Sequence, residues 1–180
     1  AERAEDLLSR LSAFKLRAKV DFNALDPAVV QIYAHPSEGF ADPRRPAMGC
    51  RLYTGNVPAG APRGTLDDYI DFCTRRGIPD TPAMLPQKDF VADLNLDLLG
   101  AIAWDKGCYI GQEVTARMHY KGLAKKRLML VEGRDIAEGD MLFSNGRVVG
   151  EVRQSNPRET EQGLAIVRLD SLQSLTSAGN

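Results

Sequence analysis

Met141-Leu142-Phe143-Ser144-Asn145-Gly146-Arg147-Val148-Val149-Gly150-Glu151-Val152 sets two short apolar runs on either side of an Asn-Gly pair. A type I′ turn needs positive φ at both central positions, and Asn-Gly between apolar runs is the strongest short-range signal for a tight hairpin. The stretch therefore reads as two antiparallel strands, 141–143 and 148–152, joined at 145–146. Further apolar runs lie at 128–131 and 164–169, set off by Gly139-Asp140 and by a polar stretch over 154–162. Residues 127–170 thus read as a small antiparallel β-barrel, with the last ten residues polar and frayed. The domain boundary falls at 122/123.

Upstream of the barrel the pattern changes. Ala4, Leu7, Leu8, Leu11 and Phe14 recur at helical spacing and predict an amphipathic helix over 2–13. Residues 15–22 alternate: Leu16, Ala18, Val20 and Phe22 on one side, Arg17, Lys19 and Asp21 on the other, the pattern of a half-buried strand that Asp26-Pro27 ends. Strands are also expected at 29–33 and 48–54, with loops over 35–47 and 55–64. Thr65 caps a helix, with Asp68 as its capping-box partner. Leu66, Tyr69, Ile70 and Cys73 form the apolar stripe of that helix, and Gly77 stops it. Pro79, Pro82 and Pro86 make the next segment irregular. Helix, three strands and helix suit an α+β body, an antiparallel sheet with helices on one face, over 1–122.

Between body and barrel lies Lys106-Gly107-Cys108-Tyr109-Ile110-Gly111-Gln112-Glu113. Two glycines let the backbone turn, and a helix is expected over 111–119. A Cys just before a helix start feels the positive end of the dipole, and Lys106 adds a nearby cation; both favour thiolate over thiol. A buried Cys beside a Gly-rich turn is the alternative. Glu113 has a sufficient structural reason in the first helical turn. Tyr109 either stacks on a ring or fills core, Trp104 is better placed as core, and His119 as a surface or capping residue. Cys50 and Cys73 fall on apolar stripes and read as core.

This stretch, continued by Thr115-Ala116-Arg117 and Lys126-Arg127-Leu128, resembles the signature of the YgfZ family, folate-binding proteins related to the T-protein (aminomethyltransferase) of the glycine cleavage system. Arg76-Gly77-Ile78-Pro79 and Asn95-Leu96-Asp97 precede it in the order expected of that family. The resemblance implies a body of ferredoxin-like halves plus a small barrel. It also implies a function: an accessory factor in iron–sulfur cluster assembly or repair that binds tetrahydrofolate and uses Cys108 as its thiol. A folate-dependent aminomethyl transferase is the alternative, but transferases of that kind lack this Cys. The residues it offers to the folate are Asp93, Lys106, Gly107, Tyr109, Gly111, Gln112, Glu113 and Arg117. Asp93 stands where related families place a Glu, and a carboxylate can accept both the N–H and the amino group of a pterin edge. Asp93 and Asp97 read equally well as caps. Lys106 meets the glutamate tail or biases Cys108. The family carries an N-terminal portion ahead of the first helix here, which supplies part of the folate pocket.

Composition sets bounds on this reading. Net charge is −1 with 26% charged residues, so there is no electrostatic reason to expect nucleic acid or membrane as partner. The basic run Lys121, Lys125, Lys126, Arg127 is short and reads as a solvated linker. Three cysteines without a Cys-x-x-Cys pair, and two histidines, argue against a disulfide framework or a self-contained zinc or cluster site. The partners expected are reduced folate and iron–sulfur assembly or client proteins, in a soluble, cytoplasmic setting.

Overall fold

The computed structural model describes residues 4–23, 29–33, 39–54, 60, 62–85, 88–109 and 111–176. The Asp26-Pro27 break, residues 35–38 of the loop expected at 35–47, residues 55–59 and 61 of the loop expected at 55–64, Pro86 and Ile110 lie outside that set, as do 177–180. The chain divides into two compact units, Ala1–Ala61 and Pro62–Asn180.

In the first unit, helix α1 spans Ala4–Phe14, with an Asp6–Arg10 ion pair one turn apart at 2.9 Å. None of its residues is buried, and Phe14 is 68% exposed. The strand expected over 15–22 is absent: the segment begins in turns, Leu16 has φ of 48° and is 87% exposed, and Lys15 reaches across to Asp21 at 2.8 Å. Alternation gives a segment two faces but does not give it a neighbour, and no described strand pairs with it.

The sheet present is β1 (Val29–Tyr33), β2 (Phe40–Ala41) and β3 (Cys50–Thr54), in the order β1-β3-β2, antiparallel throughout. A short 3₁₀ turn, Pro46–Met48, leads into β3, so the expected strand starts two residues later. Met48 and Cys50 are buried. So is Asp42, which binds Arg44 at 2.8 Å and Arg51 at 3.0 Å. The Arg44 hydrogen bond and the two guanidinium charges outweigh burial and lower the Asp42 carboxyl to about 2.

The second unit starts with α2 (Leu66–Thr74). Its capping box is complete: the Thr65 amide donates to Asp68 at 2.7 Å, and the Asp68 amide to Thr65 Oγ1 at 3.2 Å. The chain then runs through turns to α3 (Gln112–Tyr120), followed by β4 (Lys126–Glu132), β5 (Met141–Ser144), β6 (Arg147–Ser155), β7 (Gln162–Arg168) and α4 (Leu169–Thr176). The strands form an antiparallel sheet in the order β4-β7-β6-β5. Asn145 and Gly146 both have positive φ, 50° and 74°, as the tight hairpin requires.

Strand β7 explains its own continuous apolar run. Leu164 and Ile166 pack on one face with Leu94 and Leu128, while Ala165 and Val167 pack on the other with Val152. A strand covered on both faces needs no alternation. Leu172 of α4 joins the second cluster, so residues 171–176, expected to be frayed, are helical instead. Their polar composition hid a short helix whose Leu172 packs on the sheet. The turns at 91–99 are stapled to β4: Asn95 Nδ2 donates to the Leu128 carbonyl at 2.7 Å, and Arg127 Nη1 to Asp97 at 2.7 Å and the Ala92 carbonyl at 2.8 Å.

Candidate functional site

The signature stretch is built around the start of α3. Gly111 is the N-cap with φ of 86°, a left-handed conformation that side chains other than glycine adopt only at a cost. Nothing lies within 4 Å of where its Cβ would stand, so the conformation rather than space selects glycine. Gln112 folds back: its Oε1 accepts the Tyr109 amide at 3.2 Å, while its own amide donates to the Tyr109 carbonyl at 3.3 Å. Gln112 thus ties the residue ahead of the turn to the first residue of α3, while the helix N-cap, Gly111, carries no side-chain hydrogen bond.

Aromatic contacts hold both ends of the stretch. Trp104 stacks on His119 with ring centroids 3.7 Å apart and planes at 14°, and Tyr120 meets both rings edge-on. The start of the loop is thereby fixed to the last turn of α3. Lys106 Nζ lies 4.3 Å from the centre of the Tyr109 ring, a cation–π contact. Lys106, Gly107, Cys108, Gly111, Glu113 and Arg117 are exposed, and Tyr109 and Gln112 are half-buried. Of the cysteines, Cys108 is exposed while Cys50 and Cys73 are buried. Among the described residues no group of three or more His, Cys, Asp or Glu side chains is placed to hold a metal ion. Nor is any helix of the described residues long and apolar enough to cross a membrane.

Asp93 lies elsewhere in the same unit. It is 8% exposed and lines a cavity of about 200 Å³. Lys88, Asp89, Lys126, Glu151 and Arg153 also line it, and no described residue of the signature stretch does. Burial raises the Asp93 carboxyl above its ordinary range; the Phe90 amide and the Lys126 and Arg127 charges oppose that rise, and Asp89 adds to it. Asp97, tied to Arg127, faces a narrow crevice shared with Trp104 and His119 and with Val114, Thr115 and Met118 of α3. That crevice, about 10 Å³, has room for little more than one water.

The sequence reading passed over Arg153. It ended the apolar strand at Val152, whereas β6 runs on to Ser155 with residues 152–154 all buried. Arg153 Nη2 donates to Asp89 Oδ1 at 2.7 Å, but its Nε and Nη1, both buried, have no hydrogen-bond partner. An Arg directly following an apolar run was the available signal.

Residues 125–180 match the family model described as CAF17, C-terminal beta-barrel domain. The chain is 36% identical over 144 residues to the mitochondrial iron–sulfur cluster assembly factor IBA57 of Mus musculus, a match covering 73% of this chain and 39% of that protein. To the Homo sapiens protein of the same name it is 38% identical over 124 residues, covering 62% and 35%. To the Pyricularia oryzae IBA57 homolog it is 30% identical over 148 residues, covering 72% and 38%. The chain thus spans less than two fifths of the length of each of these relatives.

Proposed function

We propose, since the chain belongs to the YgfZ/CAF17 family, that it acts as a tetrahydrofolate-binding accessory factor in iron–sulfur cluster assembly or repair, with Cys108 as its key thiol. The observation that carries this reading is the exposure of Cys108 immediately ahead of α3, while the other two thiols are buried. Gly107 and Gly111 leave the backbone around it open, with nothing within 4 Å of either added Cβ. Gln112 Oε1 accepts the Tyr109 amide and so braces the approach to the helix. A single Cys cannot satisfy a cluster, which ordinarily takes four thiolates. Cys108 therefore meets the cluster as cargo, together with ligands from an assembly or client protein.

Support for the folate part comes from the donor set. Asp93 is a buried acceptor beside a cavity whose volume is below the ~300 Å³ usual for a whole drug-sized ligand, which suits a ring rather than an entire folate. When bound, tetrahydrofolate would supply a carrier of one-carbon units at N5 of its reduced pteridine and N10 of the adjoining aminobenzoyl group. Asp93 orients the ring through its N–H edge, and Lys106 or Arg117 meets the glutamate tail. We further propose that residues 1–122 form part of a ferredoxin-like folate-binding body and 123–180 the β-barrel domain, and that the protein works in the cytoplasm; the relatives named above are mitochondrial by name.

The test is complementation. In cells lacking the protein, Cys108→Ser is expected to fail to restore iron–sulfur enzyme activities while accumulating to the wild-type level. Full restoration by the Ser variant would remove Cys108 from the mechanism. Tetrahydrofolate-dependent transfer from a glycine-derived aminomethyl carrier would instead favour the transferase.

A further inference from the structure

Residues 102–108 form neither helix nor strand, and among the described residues no backbone–backbone hydrogen bond involves any of them. This stretch carries Cys108, and it is held by ring contacts at Trp104 and Lys106. The Trp104 contact reaches further in sequence, from the start of the loop to the far end of α3. The His119 end of it is rigid. Gly122, at φ of 60°, donates its amide to the His119 carbonyl at 3.4 Å, and the Leu123 amide donates to the Met118 carbonyl at 3.1 Å. Those paired bonds are the Schellman way of closing a helix. His119 is exposed, so burial does not force its ring onto the indole. The stack offsets the lost side-chain freedom through attraction between the rings themselves.

The choice of histidine gives this contact a second property. Histidine is the side chain whose charge ordinarily changes between pH 5 and 8. A neutral imidazole on an indole is an aromatic stack; an imidazolium over the same electron-rich face adds cation–π attraction. The C-terminal end of a helix also favours a cation. The charged groups around the ring are of both signs. Asp97, tied to Arg127, shares its crevice from the 91–99 turns; Asp105 and Lys106 adjoin Trp104; Arg117 and Lys121 flank it on its own helix. Tyr120 offers the ring only an edge. The indole face is thus what separates the charged imidazole from the neutral one.

We infer that Trp104 and His119 are positioning residues for Cys108: their stack ties the start of the signature loop to α3, and ties it more firmly when His119 is protonated. The thiol lies between this contact upstream and the Tyr109–Gln112 hydrogen bond downstream, so an exposed residue is held on both flanks. A loop ordered in advance spares an incoming partner the cost of ordering it. Only the consequence in the cell rests on Cys108 being the working thiol; the tie itself does not.

Two readouts test the tie on the full chain. Backbone order parameters from NMR relaxation report on residues 106–109. They are expected close to the rigid value of ~0.85 in wild type at pH 5, and below ~0.6 in His119→Ala. Trp104→Ala should loosen the same residues, so the tie is tested from both of its ends. His119→Phe keeps a flat ring that cannot charge; it should restore order and lose the pH dependence. Trp104 is the only tryptophan of the chain, so its fluorescence reports on the stack alone. The rate at which acrylamide quenches it should rise at least about twofold from pH 5 to pH 8 in wild type, and stay level in the Phe variant. A wild-type rate that does not change with pH removes the protonation half. Equal order at 106–109 in wild type and His119→Ala, or a Phe variant as loose as the Ala variant, overturns the inference. In complemented cells His119→Ala should support iron–sulfur enzymes several-fold less than wild type at equal accumulation; equal support overturns the positioning role. The Cys108→Ser result separates this from the proposed function. Restoration by Ser with loosening in His119→Ala removes the function and keeps the tie; failure of Ser with an ordered loop in His119→Ala keeps the function and removes the tie.

Discussion

Strand β7 and the stretch from Trp104 to Tyr120 belong to the same unit, yet they are held by different physics. Five consecutive residues of β7 are buried, and both its faces are covered by apolar clusters. The signature helix α3 buries no residue at all. It is held by a left-handed glycine, the Gln112 hydrogen bond to the Tyr109 amide and an aromatic stack, each a local device. Burial fixes the strand and leaves its side chains no other task. Local devices fix the loop and leave Cys108, Glu113 and Arg117 facing solvent, where a partner can reach them.

The largest effect should come from the strand. Leu164 is 0% exposed and touches the cluster that joins β7 to the turns at 91–99. Leu164→Ala is expected to destabilise by about 3 kcal/mol in equilibrium denaturation. A change below about 1 kcal/mol would mean that the sheet core is not what holds this unit.

A smaller effect probes the same contrast in the first unit, where an exposed α1 accompanies a buried Asp42. The Asp42 carboxyl is depressed in the folded state, so its contribution is present above the ordinary value of 3.8 and is lost as pH falls through about 2. The shift corresponds to roughly 2 kcal/mol at neutral pH. Asp42→Asn should remove that amount and flatten the acid limb of the stability profile between pH 4 and 2. An unchanged acid limb would show that Arg44 and Arg51 do not hold the charge.

Next is Gly111→Ala, which forces a side chain into φ of 86°. About 1–2 kcal/mol is expected, felt locally. Amide exchange in α3 should accelerate while β7 stays protected. If β7 loosens equally, the loop and the sheet are one cooperative element and the contrast fails.

Much of this was legible in the residues. Asn145-Gly146 placed the hairpin, and Thr65 with Asp68 placed the capping box, because both motifs carry their geometry within four residues. The 15–22 segment misled because alternation specifies faces without specifying a neighbouring strand. The end of the chain misled because the Leu172 contact with the sheet is tertiary. Cys108 could be singled out because glycines, a cation and a helix start surround it in sequence. Arg153 could not, since its buried ion pair is with Asp89, 64 residues away and brought to it by the fold.

The smallest effect on stability should come from Cys108 itself. Cys108→Ser replaces an exposed thiol by a hydroxyl of similar size, and surface changes of this kind usually stay within about 0.5 kcal/mol. Its chemistry should differ far more than its energetics. An alkylating reagent meets Cys108 directly, whereas Cys50 and Cys73, at 2% and 1% exposure, need their surroundings to open first. Alkylation followed by peptide mass mapping should therefore label Cys108 first and completely under native conditions, with the other two labelled only as denaturant is added. Raising denaturant should bring the three rates together at the unfolding midpoint of each unit. Labelling of Cys50 or Cys73 as fast as Cys108 in buffer would place the buried and exposed regions on the same footing, and the division between a held core and an offered loop would have to be given up.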